Sequence, residues 1–264
     1  MPESTVVLYE VSERIATVTL NRPAARNALS SEVLRLLPTH LAAAEADDGV
    51  DVVILTGTDP AFCAGLDLKE LGSSGGNLGG GGGADGRAND SGVRGPFPPM
   101  TKPLIGAVNG VAVTGGFELA LNCDFLVASE RAKFGELFVL RGLVCDVAGL
   151  GRLAGLVGRE KATELLLTGE LIDAQEAQRI GLVSRVVPHA ELLPAALALA
   201  ERIAANPPLA IARIKQGLRR ALDPDWQALG TFVSSSLAEL FRSEDHREGV
   251  RAFLEKRPPS FRGR

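Results

Sequence analysis

Two short stretches of the chain combine glycine with a carboxylate where a backbone turn could do chemistry. They are "CAGLD" at residues 63–67 and "TGGFE" at residues 114–118. In each, a strand-like run ends, glycine permits close backbone approach and a helix is predicted to begin, so free N–H groups point outward. Two such groups directed at one point form an oxyanion hole, and losing one donor typically costs about 3 to 4 kcal/mol of barrier.

Glu118 is the carboxylate best placed to work beside such a hole. It follows Gly115 by three residues, on the first turn of a predicted helix. A carboxylate there could carry a proton to or from a carbon next to the bound carbonyl. The structural alternative is an acidic residue that only complements the helix dipole.

The elements that would hold these turns follow from the hydrophobic pattern. "TVVLYEV" and "IATVTL" predict adjacent strands or a hairpin, and a helix is predicted from Ser30 or Ser31 with a bend at Pro38. "DVVILTG" predicts a buried strand, and residues 102–129 read as strand, turn, helix and strand. This repetition predicts an α/β fold with a spiral or layered core.

The second half of the chain reads differently. "SRVVP" is the last clear strand, and residues 206–256 predict helices broken at Pro224 and around Ser243. This shift predicts a core of residues 1–200 and a helical region of residues 201–264. Residues 72–86 contain nine glycines in fifteen positions and predict a mobile loop or lid, without a P-loop motif.

Composition excludes several classes of function. With 45% hydrophobic residues in 264 the chain can bury a large core, and it lacks both an eighteen-residue apolar run and a signal peptide, which predicts a cytoplasmic protein with no membrane partner. Three cysteines without a CxxC pair predict small core residues, and three scattered histidines predict no metal site.

The charge distribution bears on partners. The net charge of −4 argues against nucleic acid as a partner. Residues 201–264 nevertheless carry 12 Lys and Arg against 8 Asp and Glu. Such an excess fits either solvated helix faces or cations that meet an anionic ligand or a neighbouring subunit.

Several motifs together resemble a known family. "NRPAARNAL", "AFCAGLDLKEL", "AVNGVAVTGGFELALNCDFLVAS" and "LTGELIDAQEAQRIGLVSRVV" are similar, in order, to those of the enoyl-CoA hydratase/isomerase (crotonase) family. The resemblance runs from about residue 6 to "REGVRAFLEKRPPSF". It implies a spiral core of repeated β-β-α units, a helical C-terminal region that builds homotrimers or dimers of trimers, and an acyl-CoA thioester substrate. No separate cofactor is expected, because coenzyme A is part of the substrate.

The resemblance also assigns roles to residues. It implies that the amides of Leu66 and Gly115 form the oxyanion hole and that Glu118 is the main acid/base. The positions that it places near the CoA moiety are Arg26, Ala28, Ala64, Asp67, Leu68 and Gly116. Taken individually, Arg26 and Asp67 fit a structural role equally well.

One position departs from the hydratase pattern. Typical hydratases carry a second Glu three residues after the "FG" of a later motif, and here that position is Phe138. Its ring removes a proton donor and dries the pocket, which predicts a raised pKa of Glu118. Glu136 lies two residues earlier, and a helical offset of two predicts that it points away from the same face. Asp146 occupies a position that is functional in relatives resembling dienoyl-CoA isomerases and aryl-CoA dehalogenases, or it caps a helix.

Three functions therefore remain. Hydration of a 2-enoyl-CoA is the leading prediction, because Glu118 could position water for addition at C3. Double-bond isomerisation with Glu118 and Asp146 as proton carriers is the second. The third is a catalytically weak or silent acyl-CoA binding protein, since fold does not fix function.

Overall fold

The computed structural model describes residues 5–73, 97–222 and 226–260, and in these residues ten strands form two sheets. The strands are β1 (Val7–Ser12), β2 (Ile15–Leu20), β3 (Val52–Gly57), β4 (Ala61–Cys63), β5 (Leu104–Val108), β6 (Val111–Val113), β7 (Phe125–Ser129), β8 (Lys133–Gly135), β9 (Ile172–Asp173) and β10 (Arg185–Val187). The large sheet has the order β1-β2-β3-β5-β7-β10, and the small sheet has the order β4-β6-β8-β9.

The helices connect and cover these sheets. They are α1 (Ser31–Ala46), α2 (Leu68–Ser73), α3 (Gly115–Leu121), α4 (Leu153–Val157), α5 (Arg159–Thr168), α6 (Ala174–Arg179), α7 (Leu192–Ala204), α8 (Pro208–Leu222), α9 (Trp226–Leu240) and α10 (Glu244–Glu255). A π-helical turn at Ala148–Arg152 leads directly into α4.

A repeated unit explains the two layers. The strands β3, β5 and β7 lie in the large sheet, and each is followed by a strand of the small sheet, β4, β6 or β8. Helices α2 and α3 follow the first two of these pairs. Strands β3 and β5 are buried along their whole length, as expected for parallel strands covered on both faces. The predicted spiral core of β-β-α units is confirmed.

The longer elements follow the sequence closely. Strands β1 and β2 form the predicted antiparallel hairpin. Helix α1 starts where predicted, because the Ser30 side chain accepts a hydrogen bond from the Val33 N–H at 3.3 Å. Ser243 likewise caps α10. The strands of the small sheet are two or three residues long, too short for a recognisable hydrophobic period.

The domain boundary predicted near residue 200 falls inside helix α7. The side chains of Leu192, Ala196 and Ala200 are buried on this helix and pack on the large sheet with Ile15 and Ile54. Helix α7 is therefore part of the core of the large sheet. The described residues of α8 and of the later helices belong to neither hydrophobic cluster on the sheets. The division into a core and an oligomerisation region stays a prediction.

Other expectations concern single residue types. All three cysteines are buried, as predicted. The ranges 5–73, 97–222 and 226–260 contain no cluster of His, Cys, Asp and Glu that could hold a metal ion. Within those ranges no helix has the length and apolar character needed to cross a bilayer. The predicted mobile loop, apart from its first two residues, and the break at Pro224 lie outside the described residues.

Candidate active site

The turn after β4 presents the first predicted oxyanion donor. Leu29 forms a parallel bridge beside this turn, in which its N–H donates to the Gly65 carbonyl at 2.8 Å and its carbonyl accepts from the Asp67 N–H at 3.0 Å. Because these bonds use the residues on either side of Leu66, the Leu66 N–H points away from Leu29. Gly65 has a φ of 84°, a conformation that L-residues rarely adopt.

The start of α3 supplies the second donor. Gly115 is the first residue of this helix, so its N–H has no partner within the helix. A β-carbon placed on Gly115 would lie 3.8 Å from the Leu66 nitrogen. The two predicted donors therefore border one space. A β-carbon on Gly116 would lie 2.1 Å from the Cys63 carbonyl oxygen, so only glycine lets α3 begin this close to β4.

Glu118 is buried on the first turn of α3, with 7% of its surface exposed. Its Oε1 accepts from the Asp146 N–H at 2.7 Å, and its Oε2 accepts from the Gly149 N–H at 3.0 Å. Burial, followed by the negative charge of Asp146, raises the pKa of Glu118 to about 8. The shift has the predicted direction and favours the protonated carboxyl, whereas the backbone N–H groups of Asp146 and Gly149 act against it.

Asp146 lies beside Glu118 at the start of the next helical segment. Its Oδ1 accepts from the Val147 N–H at 2.7 Å, so the carboxylate does bind the first amide of that segment. The same residue acts on Glu118 through both its backbone N–H and its charge. The contact with Val147 is to the adjacent residue and is not an N-cap, which accepts from the second or third amide of a helix, and the π-helical turn has no side-chain cap. A catalytic role of Asp146 stays a prediction.

Glu136 is separated from Phe138, as expected, but not for the reason that the sequence argument gave. It directly follows β8 and belongs to no helix, so the argument from a helical offset is wrong. The residue is 1% exposed, and the charges of Glu118 and Asp146 both act on it. Strand alternation was the available signal, because it groups Glu136 with Phe134, whose ring packs 5.7 Å from that of Phe117.

Phe138 occupies the position at which the resemblance implies a second Glu. Its ring is partly buried and lines an apolar cavity of about 780 Å³. Leu143, Cys145 and Leu166 also line this cavity, which adjoins the segment carrying Asp146. The side chain at this position therefore contributes apolar surface beside the candidate site.

The residues predicted to lie near CoA surround the Leu66 turn. Arg26 is exposed, and its carbonyl accepts from the Ala64 N–H at 3.0 Å. The Asp67 carboxylate accepts from Arg22 at 2.8 Å, and its Oδ1 accepts from Lys69 N–H at 3.1 Å at the start of α2, so it has a structural role. Of the other residues predicted to lie near CoA, Ala28 precedes Leu29, Leu68 begins α2, and Gly116 lies in the first turn of α3. The contacts of these residues with CoA stay predictions.

A hydrogen-bonded Ser-His-Asp chain, which the sequence did not suggest, lies away from this site. Ser129 Oγ is 3.0 Å from His189 Nδ1, and His189 Nε2 is 2.9 Å from Asp59 Oδ2. The serine is fully buried and its oxygen also accepts from the Arg131 N–H. A fully enclosed hydroxyl cannot attack a substrate, and we therefore assign this hydrogen-bonded chain a structural role. It joins strand β7 to two turns.

Comparison with known proteins identifies the family. The family model for enoyl-CoA hydratase/isomerase matches residues 10–264. A probable enoyl-CoA hydratase of Rhizobium meliloti is 40% identical over 98% of both chains. The 2,3-dehydroadipyl-CoA hydratase of Escherichia coli is 40% identical over 96% of both chains.

The solved structures similar to this chain also include hydratases of CoA thioesters. The enoyl-CoA hydratase of Mycobacterium avium is 43% identical with a TM-score of 0.78, and the alignment covers 91% of this chain and 99% of that one. The carnitinyl-CoA hydratase of the same organism is 38% identical with a TM-score of 0.86, covering 99% of this chain and 100% of that one. The chain therefore belongs to the enoyl-CoA hydratase/isomerase family of enzymes and has the crotonase fold.

Proposed function

We propose that this enzyme adds water across the C2=C3 double bond of a 2-enoyl-CoA thioester. The observation that carries the proposal is the buried Glu118, with its raised pKa, on the helical turn that begins at Gly115 beside the amide of Leu66. The names of the relatives support it, since the similar proteins described above are hydratases of CoA thioesters.

The reaction follows from these groups. The thioester oxygen accepts hydrogen bonds from the Leu66 and Gly115 N–H groups, which stabilise its charge as electrons move from the double bond. The oxygen of water bonds to C3, and the C2=C3 π bond breaks. Glu118 gives its proton to C2, and the proton that water loses returns to Glu118. One molecule of water is added, and the enzyme is regenerated.

Isomerisation of a double bond is the second candidate, and Asp146 is the observation that favours it. This residue contacts Glu118 through its backbone and is only partly buried. Two neighbouring carboxyls could remove a proton from one carbon and return it to another through a dienolate.

We extend the proposal to binding and assembly. The exposed guanidinium of Arg26, next to the Ala64 turn, is a candidate for contact with CoA phosphate. The basic excess of residues 201–264 and the apolar spacing in α9 support a homotrimer or a dimer of trimers, which light scattering at micromolar concentration would detect. We further propose that no separate cofactor takes part and that the enzyme is cytoplasmic.

Mass spectrometry separates the candidate functions. A panel of enoyl- and dienoyl-CoA thioesters is incubated in heavy-oxygen water with the enzyme. Hydration adds one labelled oxygen to the product, whereas isomerisation yields an unlabelled isomer of unchanged mass. A chain that binds the thioesters without converting any of them would be a silent binding protein, and both catalytic proposals would fail.

A further inference from the structure

The reaction proposed above gives no role to the apolar cavity that Phe138 lines. Its volume of about 780 Å³ lies within the range of about 300 to 1,000 Å³ that is typical of pockets for small molecules. Most of the described residues that line it are apolar, and they come from residues 138–150, from α5 and from the end of α9. A cavity of this size and character calls for an apolar ligand group.

The cavity adjoins Glu118 through Cys145. A β-carbon built on Gly149 would lie 2.8 Å from Glu118 Oε1 and 3.0 Å from Cys145 Sγ, so the carboxyl and the thiol in the cavity wall border the same point. The N–H groups of Asp146 and Gly149 bind the Glu118 carboxyl. The residues next to them in the chain, Cys145 and Leu150, line the cavity. The cavity therefore begins beside the carboxyl that is proposed to act at C2 and C3.

Burial decreases from this inner end of the cavity to its rim. Cys145 is buried, Leu143 and Leu150 are half-buried, and Leu167 of α5 and Arg242 after α9 are exposed. A chain that leaves Glu118 along the cavity would contact an apolar wall and then meet solvent at the rim. The wall can therefore bury several methylene groups, and the open rim sets no strict limit on chain length.

Helix α10 holds one wall of the cavity in place. The Phe138 carbonyl accepts from the Leu143 N–H at 3.1 Å, which closes the turn between these two lining residues. The carbonyl of Arg141 in this turn is 2.9 Å from His246 Nδ1 on α10. A β-carbon on Gly249 would lie 2.8 Å from the Arg141 Cα, so the helix packs closely on the turn. A preformed wall lowers the entropy that is lost when a ligand is ordered against it.

The charges around the cavity determine which acyl groups fit it. Among the described lining residues the acidic ones are Glu239 and Asp245, and the basic one is Arg242. All three lie at the rim, between the end of α9 and the start of α10. In a six-carbon acyl group that ends in a carboxylate, the charge is only a few bonds beyond C3 and would meet the apolar inner wall. A carboxylate buried there without a cation would lose its hydration without compensation.

We infer that this cavity binds the acyl chain beyond C3 and that the substrates are 2-enoyl-CoA thioesters with an apolar chain of about eight carbons or more, not short-chain or dicarboxylic thioesters. The inference rests on the proposed function, which sets C3 beside Glu118. A butenoyl group has one methyl group beyond C3 and would leave most of the apolar wall uncovered. Each further methylene group that the wall buries strengthens binding by about fourfold at most.

Binding of saturated thioesters tests the inference without turnover. Butanoyl-CoA, decanoyl-CoA and adipoyl-CoA share the CoA moiety, so calorimetry with the full chain reports the difference between their acyl groups. We expect decanoyl-CoA to bind roughly 30-fold or more tightly than butanoyl-CoA, because six more carbons can be buried, and adipoyl-CoA to bind no more tightly than butanoyl-CoA. Equal affinities for butanoyl-CoA and decanoyl-CoA, or tightest binding of adipoyl-CoA, would overturn the inference.

A substitution in the cavity tests whether the acyl chain lies there. Leu143→Arg places a cation on the apolar wall and should weaken binding of decanoyl-CoA about 10-fold or more, strengthen binding of adipoyl-CoA and leave butanoyl-CoA nearly unaffected. Leu193→Arg, at a position on α7 that is 42% exposed and outside the cavity, is the matched control and should keep the wild-type affinities. An unchanged preference of Leu143→Arg for decanoyl-CoA over adipoyl-CoA would refute the assignment of the cavity. Should this variant not fold, the three wild-type affinities decide.

Turnover then separates this inference from the proposed function. We expect kcat/KM to be about 100-fold higher for 2-decenoyl-CoA than for crotonyl-CoA, since the buried chain stabilises the transition state as well as the bound substrate. If decanoyl-CoA binds most tightly but 2-decenoyl-CoA takes up no labelled oxygen, the hydratase proposal fails and the acyl cavity is retained. If hydration is observed and crotonyl-CoA is the better substrate, the inference fails alone.

Discussion

The raised pKa of Glu118 predicts that replacing this residue by glutamine lowers activity and, near pH 8, raises stability. In Glu118→Gln we expect kcat to fall roughly a hundredfold or more, with binding of CoA thioesters nearly intact, because the general acid is lost. Wild-type activity should itself decline as the pH rises through about 8, where Glu118 loses its proton.

The effect on stability can be worked out from the pKa. Folding raises the pKa of Glu118 from 4.5 to about 8, which corresponds to about 5 kcal/mol. The native state binds the extra proton, so this contribution is fully present below pH 4.5 and is lost as the pH rises to about 8. Glutamine cannot ionise, and its free energy of unfolding should lack this decline.

At low pH the difference in stability between Glu118→Gln and wild type should have the opposite sign. The two oxygens of Glu118 accept the Asp146 and Gly149 N–H groups, whereas a glutamine amide offers only one acceptor. We therefore expect Glu118→Gln to be less stable than wild type by about 1 to 3 kcal/mol near pH 4.5 and to gain on it up to pH 8. Urea unfolding at a series of pH values measures the difference in the free energy of unfolding near pH 4.5 and near pH 8. Glu160→Gln, on the exposed start of α5, is the control. Parallel curves for Glu118→Gln and wild type would refute the protonated Glu118 and with it the acid role.

Three further predictions concern other positions. Phe138→Glu should increase hydration of crotonyl-CoA at least severalfold by restoring a proton donor, and an unchanged rate in a folded variant would contradict this. Thr114→Gly should raise the free energy of unfolding by about 1 kcal/mol in urea titrations, because Thr114 has φ 48° and ψ −124°, and a clear loss of stability would count against strain at this residue. His189→Ala should lower the free energy of unfolding by about 1 to 3 kcal/mol, since it removes the ring between Ser129 and Asp59. An unaltered melting temperature would exclude a structural role for this hydrogen-bonded chain.

The sequence predicts best what depends on local chemistry. Ser30 caps α1 as its side chain and position require, and β1 pairs with β2 across a short turn. Gly115 and Glu118 were identified from a glycine turn that opens a helix, and the structure places them at such a turn. In each case the residues involved are close in the chain, so their types and spacing carry the information.

Contacts between distant segments could not be predicted in this way. The carboxyl of Glu118 is held by backbone N–H groups of Asp146 and Gly149, 28 and 31 residues further along the chain. Backbone amides are present at every position, so no residue type marks these two as donors. The pairing of the strands in the small sheet could not be predicted either, because each strand has only two or three residues.

The pair of positions 136 and 138 shows how a short shift changes the chemistry of a site. A carboxyl at 138 would line the apolar cavity, whereas the carboxyl at 136 is buried in the protein. Residue 136 follows β8 and is buried like Phe134, while Phe138 precedes the 3-10 turn Val139–Arg141 and lines the cavity. The site therefore contains three carboxyls, of which Asp146 is partly buried whereas Glu118 and Glu136 are buried. The chain has an aromatic ring at the position where the resemblance implies a second acid, and the raised pKa of Glu118 is therefore the property on which the proposed acid role depends.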